Sequence, residues 1–93
     1  MNEKDNIKAL EYINRYCINE YGCPADTSNL SAIDIAYTTT EDESEEIQVA
    51  INLCEEKIIK YVNRKETTIL SYPNHSSFLT ELENMTFDFL IGI

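Results

Sequence analysis

Apolar residues in this chain keep two rhythms, one helical and one extended. From residue 3 to 21 they recur every three or four positions. Ile7, Leu10, Ile13, Cys17 and Tyr21 carry the pattern, with Ala9 and Tyr16 beside them. That spacing puts them on one face of an amphipathic helix. Gly22 follows the last of them, where glycine can take the left-handed conformation that ends a helix. Cys23-Pro24 blocks continuation. Asp26, Ser28 and Asn29 then make residues 22 to 31 a loop.

From Ile33 the period drops to two. Ile33, Ile35 and Tyr37 share one side of a first strand, Ile33–Thr40. In a second strand, Glu45–Cys54, Ile47, Val49, Ile51 and Leu53 alternate with Gln48, Ala50, Asn52 and Cys54, which predicts one buried and one wet face. The third strand, Lys57–Val62, sets Ile59 and Tyr61 against Ile58 and Val62, so both its faces are expected to be partly covered. Asn63-Arg64-Lys65 reads as a hairpin turn and Thr68–Tyr72 as the fourth strand. Connections this short make neighbours antiparallel, because parallel pairs need long crossovers. Pro73 ends the sheet. Asn74 or Ser76 can cap the next helix, whose apolar stripe is Phe78, Leu79, Leu82 and Met85. Thr86 can cap one more turn, Phe87 to Ile91, apolar enough to dock on the core or on a second subunit. The expected fold class is α+β, one domain over residues 1–93: an N-terminal helix, an antiparallel sheet of three to four strands in meander order, and a C-terminal helix or helices packed on one face.

Composition fits a folded chain. In 93 residues there are two Gly and two Pro, and 43% are hydrophobic, a globular balance with a modest core. Apolar runs are far shorter than a membrane span, and the polar start, MNEKDNIKAL, has no signal-peptide pattern. The expected location is the cytoplasm. Three cysteines in that reducing setting are free thiols or metal ligands rather than a disulfide framework.

Charge is distributed unevenly. The formal net charge is −10, and no Lys or Arg occurs between Tyr16 and Glu56. Five carboxylates crowd one turn, Glu41, Asp42, Glu43, Glu45 and Glu46, and Glu55 and Glu56 follow at the far end of the second strand. These seven are the candidate partner-binding residues. Such a surface repels nucleic acid and anionic membranes and attracts basic protein surfaces, including grooves that hold nucleic acid. A plainer reading is a solvated, solubilising face. Lys57, Lys60, Arg64 and Lys65 are too few to reverse the balance for direct nucleic-acid binding. The acidic turn lacks the ligand spacing and central glycine of a calcium loop.

Cys17, Cys23, Cys54 and the single histidine, His75, form a candidate set for structural zinc, since three thiolates and an imidazole close a tetrahedral site. Alternating strand directions are expected to carry Cys54, His75 and the Cys23 loop to one pole. Five residues separate Cys17 from Cys23 and there is no CxxC pair, so spacing alone does not select zinc. In the plainer alternative Cys17 is a buried small hydrophobe and His75 a surface residue beside a helix cap. With one histidine, no glycine-rich phosphate loop and no nucleophile elbow, no enzymatic activity is expected. The residual enzymatic candidate is a thiol–imidazole pair of Cys17 or Cys54 with His75.

Three strings, ALEYINRYC, IAYTTTEDESEEIQVAINL with KIIKYVNRKE, and FLTELENMTFDFLI, resemble a small domain of the large polyvalent protein-associated type, found in proteins of phages and conjugative elements. The resemblance runs from about Ile7 to Ile91. It implies a mobile-element origin and a counter-defence role, in the manner of anti-CRISPR or anti-restriction inhibitors, and it transfers no site residue. The expected function is a non-enzymatic acidic protein that inhibits a host defence nuclease, a Cas9-type CRISPR effector foremost. The alternative is a structural or interaction module of a larger assembly, as a monomer or homodimer.

Overall fold

A computed structural model describes residues 3–93, with side chains from Asn6 onward. The helical rhythm becomes helix α1, Glu3–Tyr21. Its buried residues are Ala9, Ile13, Tyr16 and Cys17, spaced four, three and one apart along one stripe. Ile7 and Tyr21, expected on that stripe, are exposed instead. The buried stripe is thus shorter than the periodic run, and at the end of α1 Tyr21 lies at the surface beside Tyr37 of the sheet.

Four strands follow: β1 Ile33–Thr39, β2 Glu46–Asn52, β3 Lys57–Val62 and β4 Lys65–Ser71. They pair antiparallel in the order β1-β2-β3-β4, the expected meander. β4 starts earlier than its apolar residues suggest, because the hairpin turn needs only Asn63 and Arg64. Both have positive φ, 52° and 68°, as the twist of a two-residue hairpin demands.

Two helices close the chain, α2 His75–Glu83 and α3 Phe87–Gly92. Asn74 is the cap of α2, its Oδ1 accepting from the Ser77 amide at 2.8 Å. Thr86 caps α3 by accepting from the Phe89 amide at 3.1 Å. Changing Asn74 to Ala is expected to cost about 1 kcal/mol. This would appear as a lower urea midpoint with an unchanged slope. No change at all would mean that water or Ser76 replaces the cap.

The core lies between the sheet and the helices. Ile33, Ile35, Ala36, Val49, Ile51, Leu53 and Ile58 face Phe78, Leu82, Met85, Leu90 and the buried stripe of α1. The apolar tail docks here through Leu90. Lys60 secures it, its Nζ donating to the carbonyl oxygens of Ile91 and Ile93 at 2.6 and 2.9 Å. Among the described residues no helix is long and apolar enough to cross a membrane.

The ladders carry two irregularities, one at β1 and one between β3 and β4, and the first changes which β1 residues face outward. The register between β1 and β2 slips at Ile35, so Asp34 pairs with Ala50 but Ala36 with Val49. A bulge of this kind inserts one extra residue and reverses the alternation beyond it. Ile35 and Ala36 are consequently both buried, and Tyr37 stands on the opposite face, 56% exposed. That face carries Asp34, Tyr37, Gln48, Ala50, Ile59, Tyr61, Glu66 and Ile69 by register, and Ile69 is also exposed.

Candidate functional site

The acidic turn is an ordered loop. Thr40 and Glu45 are linked by a backbone hydrogen bond at 3.0 Å, and the Glu43 amide donates to the Thr40 carbonyl at 2.8 Å. Asp42 sits inside this frame. Its Oδ1 accepts from Ser44 Oγ at 2.7 Å, Thr40 Oγ1 at 2.8 Å and the Ser44 amide at 3.1 Å. Glu43 holds a positive φ of 58°, which turns the chain. Glu41, Asp42, Glu43 and Glu45 are exposed, and Glu46 is half-buried.

Glu46 has a different role from its neighbours. Its Oε1 accepts from the Tyr37 hydroxyl at 2.8 Å and its Oε2 lies 3.8 Å from Arg64 Nε. Its backbone exchanges hydrogen bonds with Asn63, locking the acidic turn to the β3–β4 hairpin. Of the five predicted carboxylates in this turn, Glu41, Glu43 and Glu45 present charge outward, while Asp42 and Glu46 chiefly hold the scaffold.

Hydrogen bonds from the side chains of Ser44 and Thr40, then from the Ser44 amide, lower the Asp42 pKa to about 2. A carboxyl whose folded pKa is depressed supports its structure above its ordinary titration range. That support is lost as the pH falls through the folded value. The Asp42 carboxyl carbon, followed by NMR, is expected to titrate with a midpoint near pH 2, and the Ser44 amide to move with it. A midpoint near 4, the ordinary aspartate value, would show that the loop is open in solution.

Glu55 and Glu56 lie at the other end of β2, as expected. Asn52 Oδ1 caps the turn by accepting from the Glu55 amide at 3.0 Å, and the Glu55 carboxylate pairs with Lys57 at 3.4 Å. Glu56, at a φ of 56°, meets His75 Nδ1 through its Oε2 at 3.0 Å. This contact pins the β2–β3 turn to the start of α2. Neither glutamate adds to the patch around Glu41–Glu45.

The four candidate zinc donors fall into two groups. Cys54 is in the β2–β3 turn, where Ser31 Oγ donates to its Sγ at 3.6 Å, and His75 reaches the same turn through Glu56. Cys17 is buried and Cys23 exposed near the other end of α1. The direction of α1 sets this separation. Asn6, near its start, lines a surface hollow with Leu30, Leu53 and Cys54. Tyr21, at its end, lies beside Tyr37. Eleven residues of helix between Asn6 and Cys17 span roughly 16 Å. The loop that was expected to hold Cys23 at the Cys54 pole instead doubles back along α1, its Ala25 amide donating to Asn14 Oδ1 at 3.0 Å. Only its far end, Leu30 and Ser31, reaches Cys54. As placed, the four do not meet as one ligand set. Among the described residues no three His, Cys, Asp or Glu side chains are grouped to hold a metal. Burial, followed by the nearby Cys23, raises the Cys17 thiol pKa, which disfavours its thiolate.

One further feature lies beside the acidic turn. Tyr21 and Tyr37 flank Asp34 in a cleft between the end of α1 and the outer strand β1. Neither tyrosine stood out in the sequence, because each fitted a core-facing rhythm. Exposed aromatic rings are enriched at protein-binding surfaces.

Comparison with known proteins returned no matching family model, no similar curated protein and no similar solved structure.

Proposed function

We propose that this is a non-enzymatic acidic binding protein that occupies a basic, nucleic-acid-binding surface of another protein and keeps nucleic acid away from it. The observation that carries the reading is the loop from Thr40 to Glu45. Its carboxylates project from a frame fixed by its own hydrogen bonds, within a segment that lacks Lys and Arg from residue 16 to 56. A loop backbone fixed in this way loses little freedom on binding and so favours a preorganised electrostatic contact. The partner class we propose, a host defence nuclease with a Cas9-type effector as the particular choice, rests on the resemblance of the sequence strings to mobile-element domains.

Order of addition tests this. Protein mixed with the guide-loaded nuclease before target DNA should inhibit cleavage, and protein added after DNA should not. Inhibition should also fade between about 0.1 M and about 1 M salt, as the screening length falls from about 10 to about 3 Å. Inhibition indifferent to both order and salt would overturn the mechanism.

A second reading is favoured by the sheet face opposite the core, where Ile59, Tyr61 and Ile69 accompany Tyr37. A chain using that face as an assembly module would leave nucleases unaffected. By light scattering it would have a mass that is a multiple of 10.7 kDa.

A further inference from the structure

The cleft beside β1 is already built in the free protein. It measures about 250 Å³ and is lined by Tyr21, Asp34, Ile35, Ala36, Tyr37 and Gln48. Each group that could bind is held by a neighbour. The ring of Tyr21 meets that of Tyr16 edge-on, with centroids 6.4 Å apart. The hydroxyl of Tyr37 is fixed on Glu46. Asp34 Oδ1 accepts from Gln48 Nε2 at 2.7 Å, and no described residue hydrogen-bonds its other oxygen. Tyr21 and Tyr37 remain 47% and 56% exposed, so their rings are available to a visitor. No Lys or Arg lines the space.

We infer that this cleft takes an arginine side chain of the partner protein, with the guanidinium against the rings of Tyr21 and Tyr37 and its fork on the carboxylate of Asp34. The inference rests on the proposed basic partner and names the contact that would anchor it. Aromatic faces attract cations, and a carboxylate beside them supplies the opposite charge. Arginine fits better than lysine because it is planar, stacks, and is more weakly hydrated. It is also among the residues most often found as buried anchors at interfaces. A second copy of this chain is a poor donor, since two molecules of charge −10 repel.

The test uses the whole protein and a blocked Gly-Arg-Gly peptide, with Gly-Lys-Gly as comparison. NMR shifts should saturate at Tyr21, Asp34, Tyr37 and Gln48, with weaker binding of the lysine peptide. Asp34→Asn and Tyr37→Leu should each weaken arginine-peptide binding about tenfold, with the urea midpoint showing that each variant stays folded. Changing Glu41, Glu43 and Glu45 to lysine should leave the shifts confined to the cleft. Shifts spread evenly over the acidic turn, or equal for the two peptides, would overturn the inference. So would unaltered binding by the Asp34 and Tyr37 variants. Peptide binding by a protein that inhibits no nuclease would leave the cleft standing and remove the proposed function. Inhibition without peptide binding would do the reverse.

Discussion

With Glu41, Glu43 and Glu45 all changed to lysine, the protein is expected to bind its basic partner roughly a hundredfold more weakly at about 0.1 M salt, and the deficit should shrink at about 1 M. Each change replaces an attraction with a repulsion, so three of them act together at one pole. Asp42 and Glu46 are kept for a structural reason. Asp42 holds Thr40 and Ser44, and Glu46 holds Tyr37 and lies beside Arg64. Reversing either would open the loop and confuse lost charge with lost shape. The side chains of Glu41, Glu43 and Glu45 accept no hydrogen bond from the described residues, and all three are exposed. Stability should therefore stay within about 0.5 kcal/mol of the parent, the usual range for surface changes. Titration calorimetry at two salt concentrations measures the effect. Equal affinity of parent and variant would remove the acidic loop from the interface.

Phe78→Ala is expected to cost about 3–5 kcal/mol. Phe78 is fully buried and is the largest such side chain in the core. Its ring packs on Tyr72 with centroids 5.5 Å apart, joining α2 to the end of the sheet. Truncation removes apolar area and leaves a hole that the strands cannot collapse to fill. A chain of this size has a total stability of about 5–14 kcal/mol, so the change takes a third or more of the total in most of that range. Urea denaturation should show the midpoint falling by about 2–5 M at a slope near 1–1.5 kcal/mol/M. A shift smaller than about 1 M would mean that the core refills around the missing ring. Binding should be retained by whatever fraction remains folded, because Phe78 lies far from Glu41–Glu45 along the sheet.

The order of elements and the strand pairing could be read from the sequence, because short turns leave adjacent strands few alternatives. β3 has the predicted bounds, and Thr86 caps α3 as expected. The bulge at Ile35 could not be read. One extra residue in an apolar run leaves no trace in composition, yet it moves Tyr37 to the other face of the sheet. The direction of α1 along the sheet was equally hidden. Periodicity defines which side of a helix is buried and is silent on which way the helix points. That silence is why Cys17 and Cys23 were expected near Cys54 and are found towards the opposite end. In the acidic turn, exposure followed directly from charge. The division of labour between outward Glu41, Glu43 and Glu45 and structural Asp42 and Glu46 needed the hydrogen bonds.

Tyr37 belongs to two surfaces at once. Its ring walls the cleft and its hydroxyl holds Glu46 at the base of the acidic loop. If the proposed arginine and acidic-loop contacts both form, they are mounted on one strand and behave as a two-pronged plug. Once one prong is seated, the other meets its socket at a high effective concentration. The gain exists only for a surface whose arginine and basic patch are separated by the right distance. A generic polycation, however strongly charged, engages one prong at a time, so the spacing built into β1 acts as a ruler that sorts partners by shape as well as by charge.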